Sequence, residues 1–161
     1  MCPGDVPRFI IDLNVGKLAK WLRMIGYDTT LFDQRDDKYL INVALTENRI
    51  LLTRDTQIMQ RRVINIGEIK ALLIASDNPL LQIQQVIQEF RLNPGLNPFK
   101  LCLECNQPLT PVNKADIKDR VPPYVYATKS QYVQCPDCRR IYWQGTHWQA
   151  MLKKLEGLTN S

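Results

Sequence analysis

Short apolar runs and helical stripes alternate along the first ninety residues. "FII" (9–11), "ILLT" (50–53) and "ALLIA" (71–75) are continuous apolar runs, the pattern of strands buried on both faces of a parallel sheet. "TTLF" (29–32) is a weaker member of the same set. Between them, Val15, Leu18, Ala19, Leu22 and Ile25 repeat at helical spacing, and Gly26 stops that helix. Residues 37–47 carry Leu40, Val43 and Ala44 at the same spacing, with Asn48 as the C-cap. "DTQIMQRR" (55–62) reads as a short helix and "NPLLQIQQVIQEF" (78–90) as a longer one with Pro79 in its first turn. This order predicts an α/β fold, a three-layer sandwich around a central parallel sheet with right-handed crossovers.

At "LNPGLNPFK" (92–100) the pattern breaks in a Pro/Gly linker. We place the boundary there, between a sandwich domain of residues 1–97 and a module of residues 98–161. The module is rich in Cys, Pro and aromatics and closes with a helix at "HWQAMLKKL". A length of 161 residues suits one main core plus such a module.

Charge and composition narrow the function classes only a little. With 45% hydrophobic and 23% charged residues the chain is globular, and a net charge of +5 is compatible with nucleic acid without proving it. No apolar run approaches the roughly 18–20 residues of a membrane span. The N-terminus lacks a basic segment before its short apolar run, which argues against a signal peptide and for the cytoplasm.

Cysteine usage is more specific. Four of the five cysteines form two C-x-x-C pairs, Cys102/Cys105 in "CLEC" and Cys135/Cys138 in "CPDC", separated by 29 residues. In an unexported chain this spacing speaks for metal rather than disulfides, and four thiolates on two tight turns suit a structural zinc. Cys2 reads as a free terminal thiol. His147 would be redundant as a ligand and reads as a packed or RNA-contacting residue. Tyr124, Tyr126, Tyr132, Tyr142, Trp143 and Trp148 are interleaved with Lys129, Arg139 and Arg140. They could stack bases and bind phosphate, or simply form the ribbon's core.

Acidic residues recur at one place in the predicted sandwich. Asp12 ends the first strand, Asp55 follows the third, and Asp36 and Asp37 open the helix after the second. The carboxyl edge of an open parallel sheet is where ligands bind. Each aspartate alone reads as a helix cap. Together they would repel one another unless a cation neutralised them, and their hard oxygens suit Mg²⁺ or Mn²⁺. Lys17, in the first turn after Asp12, is placed to meet a phosphate, whereas Lys20 and Arg23 read as solvated helix charges.

"DLNVGKLAKWLRMIGYDT", "DDKYLINVALTENRILLTRD", "CLECNQPL" and "CPDCRRIYWQGTHWQAM" together resemble the Mut-seven C-terminal domain family, PIN-like ribonucleases carrying a zinc ribbon. The resemblance runs from about residue 8 to 151. It implies a PIN-like fold and metal-dependent RNA cleavage. On it, Asp12 matches the first metal-binding aspartate, and Asp37 is preferred to Asp36. Asp55 matches the last aspartate, with Thr53 supporting the turn and Arg54 near the phosphate. Asp77 in "ASDNP" stands nearest to a fourth acidic position.

The leading expectation is therefore a Mg²⁺/Mn²⁺-dependent endoribonuclease whose zinc ribbon positions RNA. The alternatives are an RNA-binding module with a degenerate acidic site, and a protein-interaction adaptor.

Overall fold

The computed structural model describes residues 6–32, 36–94 and 99–159, apart from the side chains of His147, Leu158 and Thr159. Cys2, the His147 side chain and the expected boundary at residues 97 and 98 lie outside the described residues.

Four strands, β1 (Phe9–Asp12), β2 (Thr29–Phe32), β3 (Ile50–Thr53) and β4 (Ala71–Leu73), form an all-parallel sheet in the order β2-β1-β3-β4. The two central strands are the most apolar for a simple reason: both their faces are covered. Phe9 and Ile11 face one layer, Ile10 faces the other, and all three are fully buried. "ALLIA" differs from expectation. It forms an edge strand whose Leu73 is exposed, because only one neighbour flanks it.

Helices cover both faces. A 3₁₀ turn (Leu13–Val15) leads into α1 (Gly16–Met24), which buries Leu18, Ala19 and Leu22. Gly26 ends it at a φ of 93°, a left-handed conformation that glycine adopts freely. Helix α2 (Asp37–Thr46) lies on the other face with Leu40 and Ala44 inward. Of the two aspartates that open it, Asp36 is the cap and Asp37 the first helical residue. Two short helices follow β3, α3 (Thr56–Met59) and α4 (Arg62–Asn65), where one had been expected. Helix α5 (Pro79–Phe90) is capped by Asn78, and it sets Ile83, Val86 and Ile87 against α1.

A second, antiparallel sheet is built from β5 (Thr110–Val112), β6 (Tyr132–Gln134) and β7 (Ile141–Tyr142). Between β5 and β6 run a 3₁₀ segment (Lys114–Arg120) and helix α6 (Pro123–Thr128). The last helix, α7 (Thr146–Thr159), returns to the sandwich and packs on α5. Its Trp148 and Leu155 join the same buried cluster as Phe9 and Leu22. Among the described residues no helix is long and apolar enough to cross a membrane.

Candidate active site and zinc centre

Strand order reverses between β1 and β3: the chain leaves β1 toward β2 on one side and β3 toward β4 on the other. In open α/β sheets the crevice beyond the carboxyl ends of such a pair is the usual ligand site. Asp12 ends β1 and Thr53 ends β3, with Asp55 two residues beyond. The fully buried Thr53 joins the two aspartates. Its Oγ1 donates to Asp12 Oδ2 at 3.2 Å and accepts the Asp55 backbone N–H at 3.0 Å. Asp55 Oδ1 in turn accepts the Gln57 N–H at 2.8 Å and caps α3.

The other acidic candidates have partners or places of their own. Asp36 accepts the Lys38 N–H at 3.0 Å, and Asp37 Oδ2 lies 3.8 Å from Arg61. Asp77 and Lys17 line one cleft of about 460 Å³, between the starts of α1 and α5, together with Asn14, Lys20 and Gln82. Arg54 is exposed on the turn after β3, its backbone N–H donating to Asn14 Oδ1 at 3.4 Å. The fold thus links the Asp12 carboxylate through Thr53 to the Asp55 backbone, and it sets Lys17 and Asp77 in one cleft. Asp37 is paired with a cation instead.

Two side chains escaped the reading of the sequence. Asn14 ties the end of β1 to the turn after β3, and its only sequence signal was a polar residue just past a strand. Buried Gln82 donates to Ser76 O at 2.8 Å and holds the loop bearing Asp77. Its signal was an amide on the apolar face of α5.

The cysteines form two matching turns. Asn106 N–H donates to Cys102 O at 2.9 Å, and Arg139 N–H to Cys135 O at 3.0 Å. Asn106 and Arg139 both take left-handed conformations, at φ 62° and 66°. All four Sγ atoms lie within 4.8 Å of one another, and among the described residues this is the one group of three or more such ligands that converges. Four Zn–S bonds of about 2.3 Å on a tetrahedron put sulfurs about 3.8 Å apart. Cys102 and Cys138 are already 3.6 Å apart, so the donor set fits zinc. Burial alone would raise the Cys102 pKa. Hydrogen bonds from the Tyr142 hydroxyl and the backbone N–H groups of Cys105 and Glu104 outweigh it and bring the thiol down to about 7. Its neighbour Cys105 is pushed up to about 12, first by its hydrogen bond with Cys138 and then by burial and the surrounding thiolates. A divalent cation, if bound, would relieve that mutual repulsion by holding all four as thiolates.

The first turn is docked on the sandwich, which revises the reading of α1's charges. Arg23 is buried rather than solvated. It donates to Thr29 O at 2.9 Å, Leu103 O at 2.7 Å and Glu104 O at 3.3 Å. Lys20 pairs with Glu104 at 2.8 Å. Asn106 accepts the Thr29 N–H and donates to Asp28, which also meets Arg49 at 2.9 Å.

The aromatic residues of the module differ in burial. Tyr132 and Trp148 are buried, and the Tyr132 hydroxyl donates to Val125 O. Tyr126 sits under Lys114 and Tyr124 is 77% exposed.

One protein-family model, described as the Mut7-C RNAse domain, matches residues 7–155. Neither the curated proteins nor the solved structures contain a match.

Proposed function

The chain belongs to the Mut7-C RNase domain family, and from that premise we propose that it is a PIN-like, Mg²⁺- or Mn²⁺-dependent endoribonuclease acting at the carboxyl edge of the parallel sheet. The observation that carries this reading is the Thr53 hydroxyl joining Asp12 and Asp55 at the point where strand order reverses.

The donor set suits the ion. Mg²⁺ keeps several waters and needs only one or two protein carboxylates, so Asp12 and Asp55 suffice as a core, with Asp37 and Asp77 on either flank. Such an ion, when bound, supplies activation of water and charge neutralisation at the phosphodiester. The chain's own residues do the rest. Thr53 holds the Asp12 carboxylate in one orientation. Capping α3 fixes Asp55. Exposed Lys17 and Arg54 meet the phosphate backbone, and the zinc-bearing module helps position the RNA. A tetrathiolate site persists best in a reducing compartment, which favours the cytoplasm.

RNA cleavage with Mg²⁺ or Mn²⁺ tests the assignment. Asp12→Asn and Asp55→Asn should each lower the rate at least about 100-fold, the scale expected when a carboxylate holding a catalytic ion is lost. Asparagine caps helices as well as aspartate does, so Asp55→Asn should keep its melting temperature. Wild-type rates in both variants would sink the assignment.

A second reading has an observation of its own: Asp36 and Asp55 serve as caps, and Asp37 pairs with Arg61. These are the structural duties expected of a non-catalytic RNA-binding module. That reading calls for RNA binding that needs no divalent ion and no cleavage under any metal.

A further inference from the structure

Beside the cysteine turns lies a cleft of different character. Tyr142, Trp143, Trp148 and Met151 form its walls, Lys20 and Arg140 its rim, and its volume is about 390 Å³. That size falls in the range of small-ligand pockets. Its walls are held from behind. The Tyr142 hydroxyl lies 3.2 Å from Cys102 Sγ and accepts the Leu103 N–H. Trp143 packs edge-on against Tyr132, with ring centroids 6.4 Å apart. A Cβ on Gly145 would stand 3.0 Å from Trp143 Nε1, a tight contact that the bare glycine avoids. Trp148 stacks on Phe99 at 4.2 Å, yet its buried indole N–H has no hydrogen-bond partner among the described residues. Buried donors without acceptors are uncommon in folded proteins.

Two further facts concern position and charge. Lys20 and Arg140 carry two positive charges against the one negative charge of Glu104, which pairs with Lys20. Lys20 also lines the cleft that holds Lys17 and Asp77, so the aromatic cleft and the carboxyl edge meet at this residue.

We propose that the aromatic cleft is a nucleobase subsite, taking one unpaired base of an RNA whose backbone passes Lys20 on its way to the carboxyl edge. The identity of the ligand rests on the ribonuclease reading, but occupancy of the cleft needs no cleavage. Aromatic faces stack any base, and the rim cations meet flanking phosphates. A paired base cannot enter, so the subsite selects single strands. A protein segment would use the same apolar walls, but it gives no reason for the two cations or for continuity with the acidic edge.

The three tryptophan indoles report on this directly, since Trp143 and Trp148 line the cleft and Trp21 does not. In the zinc-loaded full chain, labelled with ¹⁵N, adenosine or uridine 5′-monophosphate should shift the indole signals of Trp143 and Trp148 and leave Trp21 in place. Ribose 5-phosphate should shift none. Trp143→Ala should weaken binding of a single-stranded 8-nucleotide RNA by about 5- to 100-fold, the range for one lost base stack. Arg140→Glu, at an exposed position outside the core, should weaken it at least about fivefold, which guards against misfolding of the first variant. Equal shifts with ribose 5-phosphate, or wild-type RNA affinity in both variants, would overturn the subsite. Nucleotide-induced shifts in a chain that cleaves no RNA would support the subsite and remove the ribonuclease reading. Cleavage without any such shift would do the reverse and leave the aromatic face to a protein.

Discussion

A guanidinium taken out of water must find acceptors, and Arg23 finds three backbone carbonyls, two of them in the first cysteine turn. Asp28 extends the same junction. Burial alone would raise its pKa, but hydrogen bonds from Arg49 and Asn106 lower it more, so its carboxyl is held below the ordinary value. A carboxylate depressed in the folded state contributes stability above its unfolded pKa of about 3.9 and surrenders it as pH falls through the folded value. Between pH 5 and pH 3 the wild type should therefore lose more unfolding free energy than Asp28→Asn, measured by urea denaturation. Parallel losses in the two proteins would remove Asp28 from the account.

At the scale of elements, the long return of α7 is the feature the sequence showed least clearly. Trp148, Met151, Leu152 and Leu155 follow helical spacing, so an amphipathic helix was legible. Spacing says which residues share a face and nothing about the surface that face covers. The answer is the α1–α5 layer, where Leu155 is fully buried. Leu155→Ala should cost about 2–5 kcal/mol in chemical denaturation, as for other core leucines. A cost within about 0.5 kcal/mol, the range of surface substitutions, would show that α7 does not share this core. By contrast β1, β3, α1 and α5 could be read directly, because burial on two faces or one stripe leaves its own period in the chain. The acidic edge was legible as positions, since strand ends were. Thr53's local bond to the turn was implied by the family resemblance, but its bond to Asp12 was not legible, because that partner depends on register between strands. Arg23 escaped for a related reason: backbone carbonyls some 80 residues away carry no side-chain signature.

At the scale of the molecule, the four-cysteine cluster and the sandwich are mechanically one. Arg23, the Lys20–Glu104 pair and the Asp28–Asn106 contact all cross between them. Removing zinc with a chelator, or substituting Cys102→Ser, should lower the melting temperature by at least about 10 °C, since each kcal/mol lost shifts a chain of this size by about 2–4 °C. Tryptophan fluorescence and far-ultraviolet circular dichroism should fall together. Two separated transitions would mean that the cysteine turns unfold on their own.

The reach of Arg23 also sets a schedule for biosynthesis. Its acceptors at Leu103 and Glu104, and the Leu155 that closes the core above α1, leave the ribosome long after the guanidinium itself. Domains commonly fold as they emerge, from the N-terminus onward. Here one flank of the four-strand sheet draws its hydrogen-bond acceptors from residues translated some 80 positions later. The buried surroundings of α1 are therefore complete only once the cysteine turns and α7 are in place.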